Sequence, residues 1–505
     1  MISLTYEQKE ELGYKAVRDL LEPVSPYGKK RLKEEGFYGP DQETELENEL
    51  ENVSLLTAAL AADESALQQL RQDLSGLKEL SGSLRRCENE SLTEVELFEL
   101  TAFCLRLESL IPKAQALPGY AALDGVDFQP VDGVLKILDP SGSGRLSFYV
   151  EDSRSPKLKA AREEKRHLER LLRESSGGSA GMKRCPVSEN SAAGTFPSGL
   201  AREEILLKRQ KAAGAEEAAL GEIYAGMSRD LRPYLAVLSA DMSAAGRLDA
   251  CLAKALLARR FSCVRPEIGG EILRLKGAVH LPVAKALEER NRCFTPIDIE
   301  LPKGVTVLTG ANMGGKSVAL KTVALNLALA LSGCFVFAEA AQIPLFDRLE
   351  LINKDLSDAA RGLSSFGGEI LRFNEAAEHL KEGGLSFILM DEFARGTNAR
   401  EGAAIARGTV KYLAGKNALT LLATHYDGAA AYAARHYQVK GLKKLEETPE
   451  EAAPGNSLDA LRQIENAMDY GLIPVETEAA CPQDALTICR LLGLPQEILT
   501  EAQET

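Results

Sequence analysis

Apolar residues recur at spacings of three and four through most of the first 110 positions, the signature of amphipathic helices. Residues 7–21, 42–60, 63–80 and 97–110 all carry it. The texture changes over residues 119–150, where two short apolar pieces, 131–137 and 146–150, flank Asp139-Pro-Ser-Gly-Ser-Gly144. That spacing predicts a small hairpin or strand pair. Pro156 opens a helix predicted to run to about Glu174. Residues 175–199, rich in Gly, Ser and Pro, read as an exposed loop. A second rod is expected from near Ala201, with breaks, to about Tyr224, and Pro233 begins a further helical region ending around Arg260. Helix, loop and returning helix together predict a short antiparallel arm; about 20 residues make a rod of about 30 Å.

From residue 262 the period changes. The apolar runs 305–308, 387–390 and 419–423 alternate with long Ala/Leu-rich segments of helical character. This is the pattern of a mainly parallel sheet covered on both faces. Residues 441–455 read as an acidic, proline-containing linker, and the tail 458–505 as helical pieces separated by Gly471, Pro474, Pro482 and Pro495.

Composition narrows the function classes. A chain of 505 residues that is 45% hydrophobic is long enough for about three domains and rich enough to bury cores. Its 60 basic and 74 acidic residues give a formal charge of -14, which argues against a general nucleic-acid coat but leaves room for a local basic groove. The one candidate footprint is the mixed face of Lys157, Lys159, Arg162, Lys165, Arg166, Arg170 and Arg173, interleaved with Glu163, Glu164 and Glu169. Trp is absent and aromatics make up 6%, which disfavours base-stacking platforms. No segment reads as a membrane span; the apolar run 323–338 is interrupted by Asn326, Ser332 and Gly333. The N-terminal residues resemble neither a signal nor a transit peptide, and nine scattered cysteines without a CxxC pair suit a reducing cytoplasm.

The candidate chemistry is concentrated in the α/β region. Gly310-Ala-Asn-Met-Gly-Gly-Lys-Ser317 matches the phosphate-binding loop pattern, entered by an apolar strand and left by a helix. In such a loop backbone N–H groups cradle phosphates, Lys316 reaches their β and γ oxygens, and Ser317 holds Mg²⁺. The strand Phe387-Ile-Leu-Met then delivers two adjacent carboxylates, Asp391 suited to the Mg²⁺ shell and Glu392 to polarising an attacking water. A third strand ends in Thr424-His425, where the imidazole can sense a γ-phosphate. The other histidines, at 167, 280, 379 and 436, have no metal-like spacing and read as structural or surface residues.

The runs TGANMGGKS, SSFGGEI, LMDEFARGTNAREG and LLATHY together resemble the MutS family of ABC-type ATPases, closely over 262–435. The resemblance implies ATP and Mg²⁺ as ligands, with Gly310, Asn312, Met313, Gly314, Gly315, Lys316, Ser317 and Val318 at the nucleotide and Ser317 and Asp391 at the metal. Phe294 is similar to the aromatic that stacks on adenine, and a lone aromatic just before the strand feeding the loop can reach a purine face. Ser364 resembles the signature serine that faces the partner subunit's nucleotide, residues 395–398 the loop crossing the dimer interface, and His425 the switch histidine. Glu392, His425, Lys316 and, in trans, Ser364 are the catalytic candidates. The implied architecture is a mainly α core with a small β insertion (1–150), a helical arm with its return helices (151–260), an α/β ABC-type P-loop ATPase domain (261–440) and a linker with C-terminal dimerising helices (441–505).

Within the family the chain resembles a divergent short form. Residues 20–32, with Pro26-Tyr-Gly28, and residues 150–172 look more like the Smr-bearing paralogues than the repair protein. Ala467-Met-Asp-Tyr470 and Leu491-Leu-Gly-Leu-Pro495 resemble the dimerising tail. Departures from the pattern are Val318 for Thr, Gly367-Gly368 for a bulkier pair, Ala394 for Gly and Phe337 for Pro. No mismatch-reading domain, Phe-x-Glu wedge or Smr domain is identified in the sequence. The resemblance implies a homodimer, or a heterodimer with a MutS-like paralogue, whose ATP cycle remodels a client. The first reading of that client is a protein, with adenosylcobalamin-dependent aminomutases, which some clampless MutS-like proteins reactivate, as an example. The alternative is a DNA structure, in mismatch repair or recombination control.

Overall fold

The computed structural model describes residues 4–176, 202–310, 315–352, 365–442, 468–480 and 485–504. The N-terminal half is helical as the periodicity predicts, with main helices at Pro26–Glu34, Glu43–Ala62, Glu64–Ser75 and Glu94–Gln115. Thr93 caps the last of these through a reciprocal hydrogen-bond pair with Glu96. The single helix expected over 7–21 is two, Tyr6–Glu11 and Tyr14–Arg18, broken where Gly13 takes φ 72°. The motif at residues 25–28 docks this region on the long helix Leu235–Arg260: the Ser25 hydroxyl donates to Asp249 at 2.6 Å and accepts from the Gly28 N–H. A Cβ on Gly28 would lie 2.2 Å from an Asp249 carboxylate oxygen, so the close approach requires glycine.

Two expectations fail here. The hairpin or strand pair at 131–150 is absent: Asp132–Leu138 is a helix and residues 146–150 have no regular structure. Val131, Val134 and Leu138 are buried at helical spacing, and Leu146 and Phe148 stay exposed without a strand partner. No strand occurs before Glu267 among the described residues. The second rod is unbroken from Arg202 to Leu231, despite Gly214, Gly221 and Gly226. Each interior glycine costs about 1 kcal/mol, but the helix packs along the first rod, Pro156–Ser176. Ion pairs Lys157–Glu222, Lys165–Glu216 and Arg209–Glu169 run in opposite chain directions, so the two rods are antiparallel. The exposed loop expected over 175–199 lies almost entirely outside the described residues.

Among the described residues the C-terminal half contains ten strands: β1 (Glu267–Ile268), β2 (Leu273–Ala278), β3 (Ile297–Leu301), β4 (Gly304–Thr309), β5 (Ala340–Ile343), β6 (Arg348–Ile352), β7 (Ser386–Asp391), β8 (Ala418–Ala423), β9 (Arg435–Leu442) and β10 (Met468–Pro474). A four-stranded sheet has the order β1-β5-β2-β3, and a six-stranded sheet the order β10-β9-β4-β8-β7-β6. In the larger sheet every pairing is parallel except β9 with β10. β4 and β8 are buried throughout, as near-continuous apolar runs require. One face packs on the helix Lys316–Leu331, the other on the helices Ser365–Glu382 and Ala399–Leu413. No described helix is long and apolar enough to cross a membrane.

The tail corrects a third reading. Met468–Tyr470, expected in a dimerising helix, belong to β10, which pairs antiparallel with β9. The register shifts between Asp469 and Leu472, where Gly471 sits, and Pro474 ends the strand at the sheet edge; both are positions these residues tolerate in a strand. The helices Ala485–Leu491 and Gln496–Glu504 follow, in keeping with the helical pieces expected at the end of the tail.

Candidate active site

Because β4, β8 and β7 are parallel neighbours, their carboxyl ends lie side by side, the usual ligand-binding edge of an α/β sheet. Two hydrogen bonds just beyond these strands keep the ends level: Thr424 N–H to the Leu308 carbonyl and Glu392 N–H to the Ala423 carbonyl, both 3.0 Å. At the end of β4 the chain enters Gly310 and returns at Gly315, whose φ of 90° starts the helix Lys316–Leu331. A Cβ on Gly315 would lie 2.8 Å from the Tyr470 ring, so β10 packs closely against Gly315.

Lys316 is buried, donates to the Gly310 carbonyl at 2.8 Å, and stands 4.0 Å from a Glu392 carboxylate oxygen. Ser317 hydrogen-bonds the Asp391 carboxylate, while Asp391 Oδ1 is buried without a hydrogen-bond partner among the described residues. Burial raises the Asp391 carboxyl above its ordinary range; the Ser317 hydrogen bond and the nearby Lys321 and Lys316 oppose this, and Glu392 adds to it. A hydroxyl beside a carboxylate with an unsatisfied oxygen is a hard-oxygen donor set that fits Mg²⁺. The adjacent ammonium of Lys316 fits a phosphate.

Glu392 occupies a left-handed conformation, φ 52°, and Ala394 another, φ 65°; for residues with a Cβ this costs on the order of 1–2 kcal/mol each. The Glu392 carboxylate is also ion-paired with Arg395. His425 follows β8, and its Nδ1 is buried without a partner among the described residues. Burial lowers its pKa, partly offset by Glu392 and reinforced by Lys316 and Arg395, so the imidazole is neutral at pH 7.

The structure thus brings together Lys316, Ser317, Asp391, Glu392 and His425, with Gly310 and Gly315 framing them. Asn312, Met313, Gly314 and Ser364 lie outside the described residues. Val318 is half-buried in the first turn of the helix, its carbonyl accepting the Thr322 hydroxyl. Phe294 is half-buried in the connection leading into β3. Asn398 caps the helix Ala399–Leu413 by accepting from the Glu401 N–H at 2.9 Å. Two departures acquire a physical meaning. The Phe337 N–H donates to the Asn326 side chain at 2.8 Å, a bond proline could not make. Ala394 keeps a positive φ although it is not glycine. Three of the four other histidines have partners that suit structural roles: His280 caps a helix, His379 pairs with Glu350, and His436 bridges Thr309 and the Glu476 carbonyl.

Glu369, Tyr426 and Tyr470 lie inside the sequence motifs, but their residue types alone assign them no role. Glu369, buried on the helix Ser365–Glu382, accepts the Ala394 N–H at 3.1 Å; the Tyr426 hydroxyl donates to the Ala394 carbonyl at 3.1 Å. No local signal marks these contacts, since both go to main-chain atoms of a distant loop.

Comparison with known proteins agrees with this geometry. Residues 306–505 match the family model of MutS domain V. The chain is 36% identical over 207 residues to the DNA mismatch repair protein MutS of Haloquadratum walsbyi, covering 41% of this chain and 22% of that protein. Against DNA mismatch repair protein MutS of Thermus thermophilus it is 36% identical over 228 residues, 45% of this chain and 26% of the relative. Against that of Fusobacterium nucleatum it is 29% identical over 290 residues, 56% and 30%. The chain therefore spans less than a third of the length of these curated relatives. On these matches residues 306–505 are similar to MutS domain V, and about half of the chain is similar to part of the DNA mismatch repair proteins MutS.

Proposed function

We propose that the protein hydrolyses ATP in a Mg²⁺-dependent reaction and couples that cycle to a conformational change. The observation that carries this is the convergence of Lys316, the Ser317–Asp391 pair, Glu392 and His425 at three adjacent strand ends. Lys316 would neutralise phosphate charge, with Gly310, Asn312, Met313, Gly314, Gly315 and Val318 shaping the loop and Phe294 stacking on the base. Ser317 and Asp391 would hold Mg²⁺, which when bound supplies charge neutralisation for the leaving phosphate. Glu392 is the acceptor for the proton of an attacking water. The neutral His425, with an unsatisfied Nδ1, is placed to hydrogen-bond a phosphate oxygen. Ser364 acts from the partner subunit, so the working unit is a dimer, of two copies or with a MutS-like paralogue. Lys316→Ala should lose nucleotide binding. Sedimentation with saturating ATP and Mg²⁺ should show a dimer, and a monomer in the presence of any natural paralogue would refute the composite site.

For the client, the comparisons favour a DNA structure over a protein, since the matched relatives bear the name of DNA mismatch repair proteins. A protein client, of which an adenosylcobalamin-dependent aminomutase is one example, is the second reading. One observation favours it: the arm's cations are already paired within the arm. Arg162 is buried between Asp152 (2.7 Å) and Glu216 (3.0 Å), Lys165 meets Glu216, Arg166 meets Asp152, and Lys157 meets Glu222. We place the chain near the Smr-bearing paralogues on the motif at residues 26–28 and on residues 150–172. Fluorescence anisotropy with matched, mismatched and branched duplexes at about 150 mM salt separates the two clients. Tight binding supports DNA; binding lost between low and physiological salt supports a protein.

A further inference from the structure

We propose that Glu369 and Tyr426 are positioning residues that clamp the peptide unit around Ala394 and thereby aim the Glu392 carboxylate. The proposal rests on the reading of Glu392 as the group that activates water. The loop from Glu392 to Arg395 contains two residues at positive φ, Glu392 at 52° and Ala394 at 65°, a conformation that an unsupported L-residue chain leaves readily. It persists only where its surroundings over-determine it, and four contacts do so.

The Ala394 N–H donates to Glu369 Oε2 at 3.1 Å, and the Ala394 carbonyl accepts the Tyr426 hydroxyl at 3.1 Å, so both polar atoms of one residue are fastened to different elements. Phe393, buried between them in sequence, packs on Phe373 with ring centroids 5.4 Å apart. Gly396 passes so close to the same helix that a Cβ would lie 2.7 Å from Phe366 Cβ. Phe366, Glu369 and Phe373 all lie on the helix Ser365–Glu382, while Tyr426 follows β8 directly after His425. The first turn of the helix Ala399–Leu413 is shaped around the clamp as well: a Cβ on Gly402 would sit 2.3 Å from the Tyr426 hydroxyl oxygen.

The consequence is directional. Glu392 stands one residue from the strand end and 4.0 Å from Lys316, with its N–H anchored to Ala423. If the Ala394 peptide unit is released, the positive-φ turn relaxes and the carboxylate swings away from the Lys316–His425 side. Neither Glu369 nor Tyr426 needs to touch nucleotide for this. Because Tyr426 neighbours His425 and Glu369 lies four residues along its helix from Ser365, the clamp also ties the aim of Glu392 to the segments bearing the histidine and the signature region.

Four variants of the full chain decide the matter by steady-state ATP hydrolysis and by binding of a fluorescent ATP analogue: Glu392→Gln, Glu369→Ala, Glu369→Gln and Tyr426→Phe. The clamp predicts that Glu369→Ala and Tyr426→Phe lower kcat about tenfold or more, with KM and analogue affinity within about twofold of the parent. Glu369→Gln should recover most of the rate, because the amide oxygen can still accept the Ala394 N–H. A merely structural role would instead lower the active fraction and the affinity together, and Glu369→Gln would not rescue. If Glu392→Gln is impaired while Glu369→Ala and Tyr426→Phe turn over like the parent, the clamp is wrong and the reading of Glu392 stands. If Glu392→Gln itself turns over at the parental rate, that reading fails and the clamp fails with it. Should Glu369→Ala not fold, Tyr426→Phe, which removes one oxygen, carries the same decision.

Discussion

Replacing Lys254 with methionine should weaken the junction between the helical core and the α/β region, because this ammonium joins the two. Lys254 lies on Leu235–Arg260 with its side chain fully buried, 2.5 Å from Glu35 and 2.8 Å from Glu49. It also donates to the Ser332 carbonyl at 3.1 Å, at the C-terminal cap of the helix that begins with Lys316. Burial alone would depress an ammonium pKa; the two carboxylates overcome that and hold it well above the ordinary lysine value. Removing one member of a buried charge cluster costs about 3–5 kcal/mol. The survivors here keep partners: Glu49 retains Arg31 at 3.2 Å and Arg247 at 3.6 Å, and Glu35 retains Arg18 at 2.7 Å. That places the cost near the lower end, about 3 kcal/mol. Burial alone would raise the Glu49 carboxyl; Lys254, Arg31 and Arg247 overcome this and hold it down at about 2 against an ordinary 4.5. Because the folded pKa is depressed, this stability is present above about pH 4.5 and is lost as pH falls towards 2. At roughly 2–4 °C per kcal/mol for a cooperative unit of this size, Lys254→Met should lower the thermal midpoint at pH 7 by about 6–12 °C. Glu49→Gln in the Lys254→Met background should cost less than Glu49→Gln alone, since neighbours are not additive. A midpoint shift under about 2 °C, or full additivity of the pair, would refute the argument.

Two further outcomes follow from buried or paired charge. Asp241 is buried with Oδ2 unpartnered among the described residues, and burial pushes its carboxyl up to about 6 although the Gln129 N–H, at 2.8 Å, opposes it. A raised carboxyl binds more protons folded than unfolded, so its charged form destabilises the fold as pH rises from about 4 to 6. Asp241→Asn should therefore raise the urea midpoint at pH 7.5, by up to about 3 kcal/mol in stability, and have little effect near pH 4. An equal effect at both pH values would contradict this. Glu216 holds Arg162 and Lys165 at once. If pairing is what silences the arm, Glu216→Gln should strengthen duplex binding at low salt and steepen its salt dependence by about one to two cations' worth; an unchanged slope in an anisotropy titration would count against it.

The larger sheet was legible because a strand buried on both faces needs no alternation, and β4, β7 and β8 are largely apolar runs that lead directly into the motif residues. The run from Gly310 to Ser317 stands out in the sequence because its residue types follow from the chemistry of phosphate. What failed had a physical reason each time. Val131, Val134 and Ile137 are β-branched, which favours a strand reading, but the buried spacing is helical and tertiary packing decided. Gly471 and Pro474 read as breakers, yet one sits at a register shift and the other at a strand end on the sheet edge. Lys254 stands in an Ala/Leu-rich helix, and its carboxylates come 205 and 219 residues earlier in the chain, a pairing no local pattern encodes. Glu369 and Tyr426 bind the main chain of Ala394, and a sequence does not record what lies against a backbone carbonyl.

The central claim is tested most directly by measuring ATP turnover and nucleotide binding side by side for the parent chain and Glu392→Gln. The parent should hydrolyse ATP with Mg²⁺ and lose activity when the metal is chelated. Glu392→Gln should bind the analogue as the parent does, since Lys316, Ser317 and Asp391 are untouched, and lose turnover by about 100-fold or more, the usual worth of a positioned general base. Parental turnover in Glu392→Gln, or no Mg²⁺-dependent hydrolysis by the parent, would contradict the account.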